Sequence, residues 1–180
     1  MKTAIGAFLV LFSLTSVATA TPILTGESIT SHFEATGFGV YAGPVVTTAP
    51  GTISPYPGIS SSGTFSVTYT DSTITLLSAG GSTAFSSGFT FNGIVFDLPS
   101  NFTFTSAAID GASTLPGFVS GDLSIAANEL RVNLDALTFN SGNQLVIDVN
   151  GTTSAPEPGT LLLAAAGMVL VGFVRRFHRA

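Results

Sequence analysis

Residues that could carry catalysis are few in the middle of this chain. Residues 21–155 contain one histidine, His32, and one base, Arg131, together with nine acidic residues. A Ser–His–Asp hydrolase would have to use His32, but no G-x-S-x-G pattern is present. A glycosidase needs two carboxylates across a cleft, and no pair of acids stands out by its spacing. We therefore predict that this region is not an enzyme and that His32 faces solvent on a strand.

Metal, cofactor and nucleic-acid sites are not indicated either. The absence of cysteine excludes disulfides and thiolate sites, and one histidine does not make a zinc site. No D-x-D-x-D-G calcium loop is present, so we interpret Asp110-Gly111 and Gly121-Asp122 as turns. One base against nine acids gives residues 21–155 a charge of −8, which would repel phosphate backbones. We expect no metal, no cofactor and no nucleic-acid partner.

Two tyrosines are candidates for a binding role. Tyr41 and Tyr56 flank or lie within residues 43–63, which are rich in Pro, Gly and Ser. This composition predicts a long surface loop. Exposed rings can stack on sugars, so both tyrosines are candidate sugar contacts, with ordinary packing in the loop as the alternative.

Short alternating segments predict an all-β domain over residues 21–149. The clearest apolar/polar alternations are Phe65–Tyr69, Phe89–Phe91, Ile94–Leu98, Phe102–Phe104, Leu130–Leu134 and Leu145–Val149, with weaker ones near Ile29–Phe33, Ile74–Leu77 and Leu123–Ile125. We expect a bulge or turn at Asn92-Gly93, where the parity changes. Closely spaced strands without a helical period indicate an antiparallel β-sandwich, immunoglobulin-like or jelly-roll-like, with a phenylalanine-rich core.

The N-terminal end has the pattern of a signal peptide. Lys2 precedes an apolar run from Ala4 to Leu14, and Ala18-Thr19-Ala20 matches an A-x-A cleavage site. We therefore expect residues 1–20 to form a signal helix that is removed after Ala20, so that the protein is exported.

The C-terminal end has the pattern of a membrane segment. After a polar linker at 150–155, the apolar stretch 159–174 would form a helix about 24 Å long, which could span a core of about 30 Å with local thinning. A basic cluster follows directly, at Arg175, Arg176 and Arg179. By the positive-inside rule these arginines stay cytoplasmic, which leaves residues 21–155 outside. From the physics alone, an ordinary C-terminal anchor stays possible.

The order of these parts resembles a known sorting signal. Pro156-Glu157-Pro158, a short apolar segment and an arginine-rich end are similar to the tripartite PEP-CTERM signal over residues 156–180. The resemblance implies processing by exosortase, an integral-membrane enzyme, in a Gram-negative host that makes exopolysaccharide. It also implies the export machinery and the inner membrane as partners.

Together these patterns predict a non-enzymatic exported protein. We expect an inner-membrane-tethered precursor that is sorted to the cell surface or extracellular matrix, in association with exopolysaccharide or biofilm. The alternative is a carbohydrate-binding module of the same matrix, using Tyr41 and Tyr56. An exported hydrolase is a third and weaker reading, because no motif supports it.

Overall fold

Alternation of apolar and hydroxyl-bearing side chains produces twelve strands in the described part of the chain. The structure, a computed structural model, describes residues 23–59 and 63–153. Its one helical element there is a 3-10 turn at Ser120–Asp122. The strands are β1 Ser28–Ala35, β2 Gly39–Thr48, β3 Gly51–Ile53, β4 Thr64–Tyr69, β5 Thr73–Ala79, β6 Thr83–Ala84, β7 Asn92–Asp97, β8 Phe102–Ile109, β9 Leu123–Ala126, β10 Glu129–Asn133, β11 Thr138–Phe139 and β12 Gln144–Thr153.

The strands form two five-stranded sheets and one short pair. The front sheet has the order β2-β1-β7-β10-β9, and the back sheet has the order β3-β4-β5-β12-β8. β6 pairs with β11. All of these pairings are antiparallel, so the prediction of an all-β antiparallel fold is confirmed.

The two sheets share one hydrophobic core, which makes the fold sandwich-like. Every second residue is buried in β1 and in the first six residues of β12, as period-two alternation requires. Aromatic side chains join the layers: the rings of Phe33 on β1 and Phe65 on β4 are 5.8 Å apart. The rings of Tyr69 on β4 and Phe96 on β7 are 5.9 Å apart and perpendicular. Edge-to-face contacts of this kind are favourable for aromatic pairs. Among the described residues, phenylalanine and leucine contribute equally often to the buried core, so phenylalanine does not dominate it by number.

The two ends of the sandwich carry different parts of the chain. At one end, the Leu24 amide donates to the Asp71 carbonyl at the β4–β5 turn, and Thr153 pairs with Phe102 at the start of β8. β7 ends near this point at Asp97 and begins at the opposite end, where Asn92 pairs with Ala35. The first and last described segments therefore leave the domain at one end, and the β1–β2 turn lies at the other.

The first half of the stretch predicted as one long loop is mostly strand. β2 extends to Thr48 and β3 covers Gly51–Ile53, so the prediction of a surface loop over residues 43–63 was wrong for its first half. Pro44 is tolerated because β2 is the edge strand of the front sheet, where a missing N–H breaks no ladder. The β-branched residues after Pro44, Val45 to Thr48, then favour the extended conformation.

Three other local predictions differ from the structure. Residues 89–91 are not strand. Asn92 and Gly93 are the first residues of β7: both pair in register with β1, and Gly93 also pairs with β10, so they form neither a bulge nor a turn. β12 extends to Thr153, which places residues 150–153 of the predicted linker in the back sheet. In these two strand segments, pairing with a neighbouring strand overrides the local turn signals.

The predicted signal helix and membrane helix lie outside the described residues. This holds for Ala18 and Ala20, for the motif at 156–158 and for the basic cluster at 175–179. Within residues 23–59 and 63–153, no helix has both the length and the apolar character needed to cross a bilayer.

Candidate functional site

A cleft of about 390 Å³ opens at one end of the sandwich. The first and last described segments leave the domain at the other end. Four segments form its wall: the β1–β2 turn, the loop after β3, β6, and the connection from β6 to β7. The described residues that line it are Ala35, Phe38, Tyr41, Gly58, Ile59, Thr83, Ala84, Phe85, Ser86, Phe89 and Asn92. These lining side chains carry no charge, and three of them are rings near the mouth.

Phe38 is presented to solvent at the mouth of the cleft. It lies between Gly37 and Gly39, whose φ angles of 88° and 73° favour glycine and allow the tight β1–β2 turn. The Phe38 amide donates to the Ala35 carbonyl over 2.9 Å, and the residue is 77% exposed. Its ring meets that of Phe89 at 5.5 Å with an interplanar angle of 75°. Phe38 is thus exposed and Phe89 half-buried beside the cleft, and an exposed aromatic ring in such a position is typical of a binding surface.

Tyr41 is fixed on the wall by a hydrogen-bond chain. Its hydroxyl donates to Asn92 Oδ1 over 2.9 Å, and Asn92 Nδ2 donates to the Ser86 carbonyl over 2.8 Å. Burial of this hydroxyl raises the pKa of Tyr41 to about 12, although the residue as a whole is 43% exposed. The hydroxyl therefore points inward, and the accessible part of Tyr41 lies toward the cleft.

Thr83 lies in the wall of the cleft with a buried hydroxyl. The residue is 2% exposed, and its Oγ1 has no hydrogen-bond partner among the described residues. Leaving a buried hydroxyl unpaired costs about 1–3 kcal/mol. Because the oxygen itself is inaccessible, a ligand in the cleft does not reach it.

The floor of the cleft is an aromatic cluster that includes the second predicted tyrosine. The Phe33 ring lies 4.9 Å from Tyr56 and 5.7 Å from Phe85. Tyr56 is 2% exposed, and its hydroxyl donates to Ser31 Oγ over 3.1 Å inside the core. A buried ring cannot stack on a sugar, so the structure corrects the expectation for Tyr56 and leaves Tyr41 as the accessible tyrosine.

Asp135 holds the connection that carries Phe89. Its carboxylate accepts the Gly88 amide over 3.3 Å and the Phe89 amide over 3.0 Å. Backbone amides bonded to a carboxylate fix a loop more firmly than neutral acceptors do. Phe89 is therefore held beside Phe38 by an interaction from the β10–β11 connection.

A charged cluster lies on the outer face of the front sheet, away from the cleft lining. His32 Nδ1 is 3.5 Å from Asp97 Oδ2, and His32 Nε2 is 3.6 Å from Glu34 Oε2. Arg131 pairs with Glu34 and, over 3.4 Å, with Glu129; its guanidinium also lies 4.2 Å from the Phe91 ring centroid.

The cluster changes the interpretation of His32. Its side chain is 16% exposed, so the expectation that it faces solvent was wrong: neighbouring carboxylates cover it. Each ring nitrogen faces a carboxylate, and neither is paired with a serine, as a hydrolase would require. Within the described ranges no group of three or more His, Asp or Glu side chains is arranged to hold a metal ion.

Sequence reasoning missed Phe38, Phe89, Asn92 and Thr83 as lining residues. Phe38 carried a usable signal, because a phenylalanine between two glycines cannot be part of a regular buried strand face. The others come together only through the packing of distant segments.

The three tyrosines predict how the stability of the fold changes at alkaline pH. Burial raises the pKa of all three, Tyr41, Tyr56 and Tyr69, above the ordinary value of 10.0. A raised pKa in the folded state gives stability that is complete below pH 10 and declines as the pH rises further. We expect the free energy of unfolding to fall only above about pH 10.

The phenolate absorbance band checks this directly, since the chain has three tyrosines and no tryptophan. At the pH at which the tyrosines of the denatured chain are half ionised, the folded chain should show little phenolate. Coincident titrations of the folded and denatured chains would contradict the burial of the three hydroxyls.

Comparison with known proteins identifies the C-terminal segment. A family model for the PEP-CTERM protein-sorting motif matches residues 154–179, directly after the end of β12. No curated protein and no solved structure matched the chain. The chain thus carries a PEP-CTERM sorting motif, and the resemblance seen at residues 156–180 is confirmed.

Proposed function

We propose that this chain is a non-enzymatic exported protein, processed by exosortase at Pro156-Glu157-Pro158. Its β-domain then resides at the cell surface or in the extracellular matrix of a Gram-negative bacterium, in association with exopolysaccharide or biofilm. The observation that carries the proposal is the PEP-CTERM motif at residues 154–179. The signal-peptide pattern at residues 1–20 supports the same route.

The charge pattern accounts for the topology of the precursor. Residues 159–174 are apolar and hold the chain in the inner membrane, while Arg175, Arg176 and Arg179 stay on the cytoplasmic side. Moving three arginines across the hydrocarbon core is costly, so the orientation is maintained. The β-domain is then outside, and the processing motif lies at the outer face of the membrane.

The chemistry of the two described clusters supports a role without catalysis. The described lining of the cleft has no acid, base or thiol that could act on a bound substrate. The charged cluster on the front sheet pairs Arg131 with Glu34 and places a carboxylate within 3.6 Å of each ring nitrogen of His32. Screening with glycan and ester substrates tests this: turnover that is lost in a His32→Gln or Glu34→Gln variant would contradict the non-enzymatic role.

The sorting route is tested by Glu157→Gln and by a triple Arg→Ala change at 175, 176 and 179. Intact mass would be measured in membrane, surface and medium fractions of the native host. We expect the unaltered chain to begin at Thr21, to end near 156–158 and to leave the membrane. The variants should still end at Ala180 and stay in the membrane, because the motif or its orientation is lost.

Glu27→Gln is the matched control, because it makes the same change at a carboxylate of the β-domain, outside the sorting motif. Its product should match that of the unaltered chain. Normal release of the Glu157 and arginine variants would contradict processing at the motif. An unaltered chain that retains Ala180 would show a lasting anchor instead.

A further inference from the structure

We propose that the cleft binds a neutral polysaccharide, with the rings of Phe38, Tyr41 and Phe89 against its sugar rings. The inference deepens the proposed function, because it names the ligand class of the exported domain. Its biological setting rests on that function, whereas the binding itself does not require export.

The rings give the cleft an apolar surface that is exposed to water. Phe38 is 77% exposed and Tyr41 is 43% exposed, although the core nearby accommodates other aromatic side chains completely. The Phe38–Phe89 pair is held in place by the glycine-flanked turn and by the Asp135 carboxylate. Rigid rings with few rotatable bonds lose little entropy on binding, which suits them to stack on the C–H faces of sugars.

The wall of the cleft also carries a polar group that can bond hydroxyls. Ser86 is an exposed residue of the lining, and a serine hydroxyl both donates and accepts hydrogen bonds. A sugar offers both an apolar face for the rings and hydroxyls for such a group.

Charge and size narrow the ligand further. The described lining has no basic residue, and residues 21–155 carry a charge of −8, so an acidic polysaccharide is disfavoured. A cleft of about 390 Å³ falls in the range of small-ligand sites and has room for a short stretch of sugar rings. The exposure of Phe38 lets a longer chain continue past the mouth.

The position of the cleft fits a ligand that lies away from the membrane. It opens beside the β1–β2 turn, whereas β12 ends at the opposite end of the sandwich, directly before the sorting motif in the sequence. A domain held at the outer membrane face of its precursor would present the cleft outward.

The test uses the full-length chain in detergent micelles. Titration calorimetry would compare neutral hexasaccharides of glucose, galactose and mannose with the corresponding uronic-acid hexasaccharides. We expect at least one neutral hexasaccharide to bind and its uronic counterpart to bind more weakly. Phe38→Ala and Tyr41→Ala should each weaken binding about tenfold, as expected for one stacked ring.

Val46→Ala is the control, because Val46 lies on the same strand as Tyr41, is 64% exposed and is not part of the lining. It should leave the affinity unchanged. The proposal is overturned if no neutral hexasaccharide binds, if the uronic forms bind as tightly, or if Phe38→Ala matches Val46→Ala. It is also overturned if the cleft is covered by a second copy of the chain in solution.

The two proposals fail in different experiments. Retention of the unaltered chain in the membrane would overturn the sorting route and leave hexasaccharide binding intact. Absence of binding, with normal release from the membrane, would overturn only the ligand assignment.

Discussion

Gly93→Ala is expected to destabilise the domain by about 3 kcal/mol or more, which is at the upper end for an overpacked site. A Cβ at this position would lie 1.9 Å from the carbonyl oxygen of Val132, and both groups belong to paired backbones. β7 is held between β1 and β10, so neither neighbour can move aside without breaking a ladder. Urea unfolding of the full-length chain, followed by circular dichroism, measures the loss.

Gly121→Ala is the matched control. No heavy atom lies within 4 Å of a Cβ built there, so the change should alter stability by no more than about 0.5 kcal/mol. If Gly93→Ala were as stable as this control, the close approach of β7 to β10 would be contradicted.

Phe33→Ala is expected to cost about 3–5 kcal/mol, the range for removing a buried phenylalanine. Phe33 is fully buried on β1, and its ring contacts the rings of Tyr41, Tyr56, Phe65 and Phe85. The change would open a cavity between the two sheets and beneath the cleft. Thermal and urea unfolding measure the stability, and calorimetry measures the accompanying loss of hexasaccharide affinity.

Phe38→Ala is the control for Phe33→Ala, because it removes the same side chain from an exposed position. Because Phe38 is 77% exposed, its removal should change stability by less than about 1 kcal/mol. Equal losses for the two variants would show that Phe33 does not join the sheets. A loss of binding without a loss of stability in Phe38→Ala would separate the two roles.

Strand positions were predictable where one face alone is buried. In β10 and at the start of β8 the apolar residues alternate with polar ones, and the burial pattern reproduces this alternation. The stretch after Tyr41 was harder, because its Pro and Gly content is typical of loops. An edge strand tolerates such residues, and edge position is a property of the whole sheet that no local window contains.

The candidate site was predictable only in part. Tyr41 was identified because an aromatic ring beside a Pro/Gly stretch is often accessible, but the same argument failed for Tyr56, which the β3–β4 loop turns into the core. Asn92 and Thr83 reach the cleft through strand pairings with distant segments. The charged cluster around His32 likewise depends on the register of β1, β7 and β10.

The end of β12 determines how the domain would respond to mechanical force. Only Ser154 and Ala155 separate Thr153 from Pro156, so the motif can lie no more than about 11 Å from the sheet. β12 is paired on both sides, with β5 and β8. Hydrogen bonds in antiparallel pairs run perpendicular to the strands, so a pull along β12 loads them together rather than one after another. In the membrane-held precursor that we propose, tension between a ligand in the cleft and the tail would therefore act on the back sheet in shear, the direction in which a sheet resists separation most strongly.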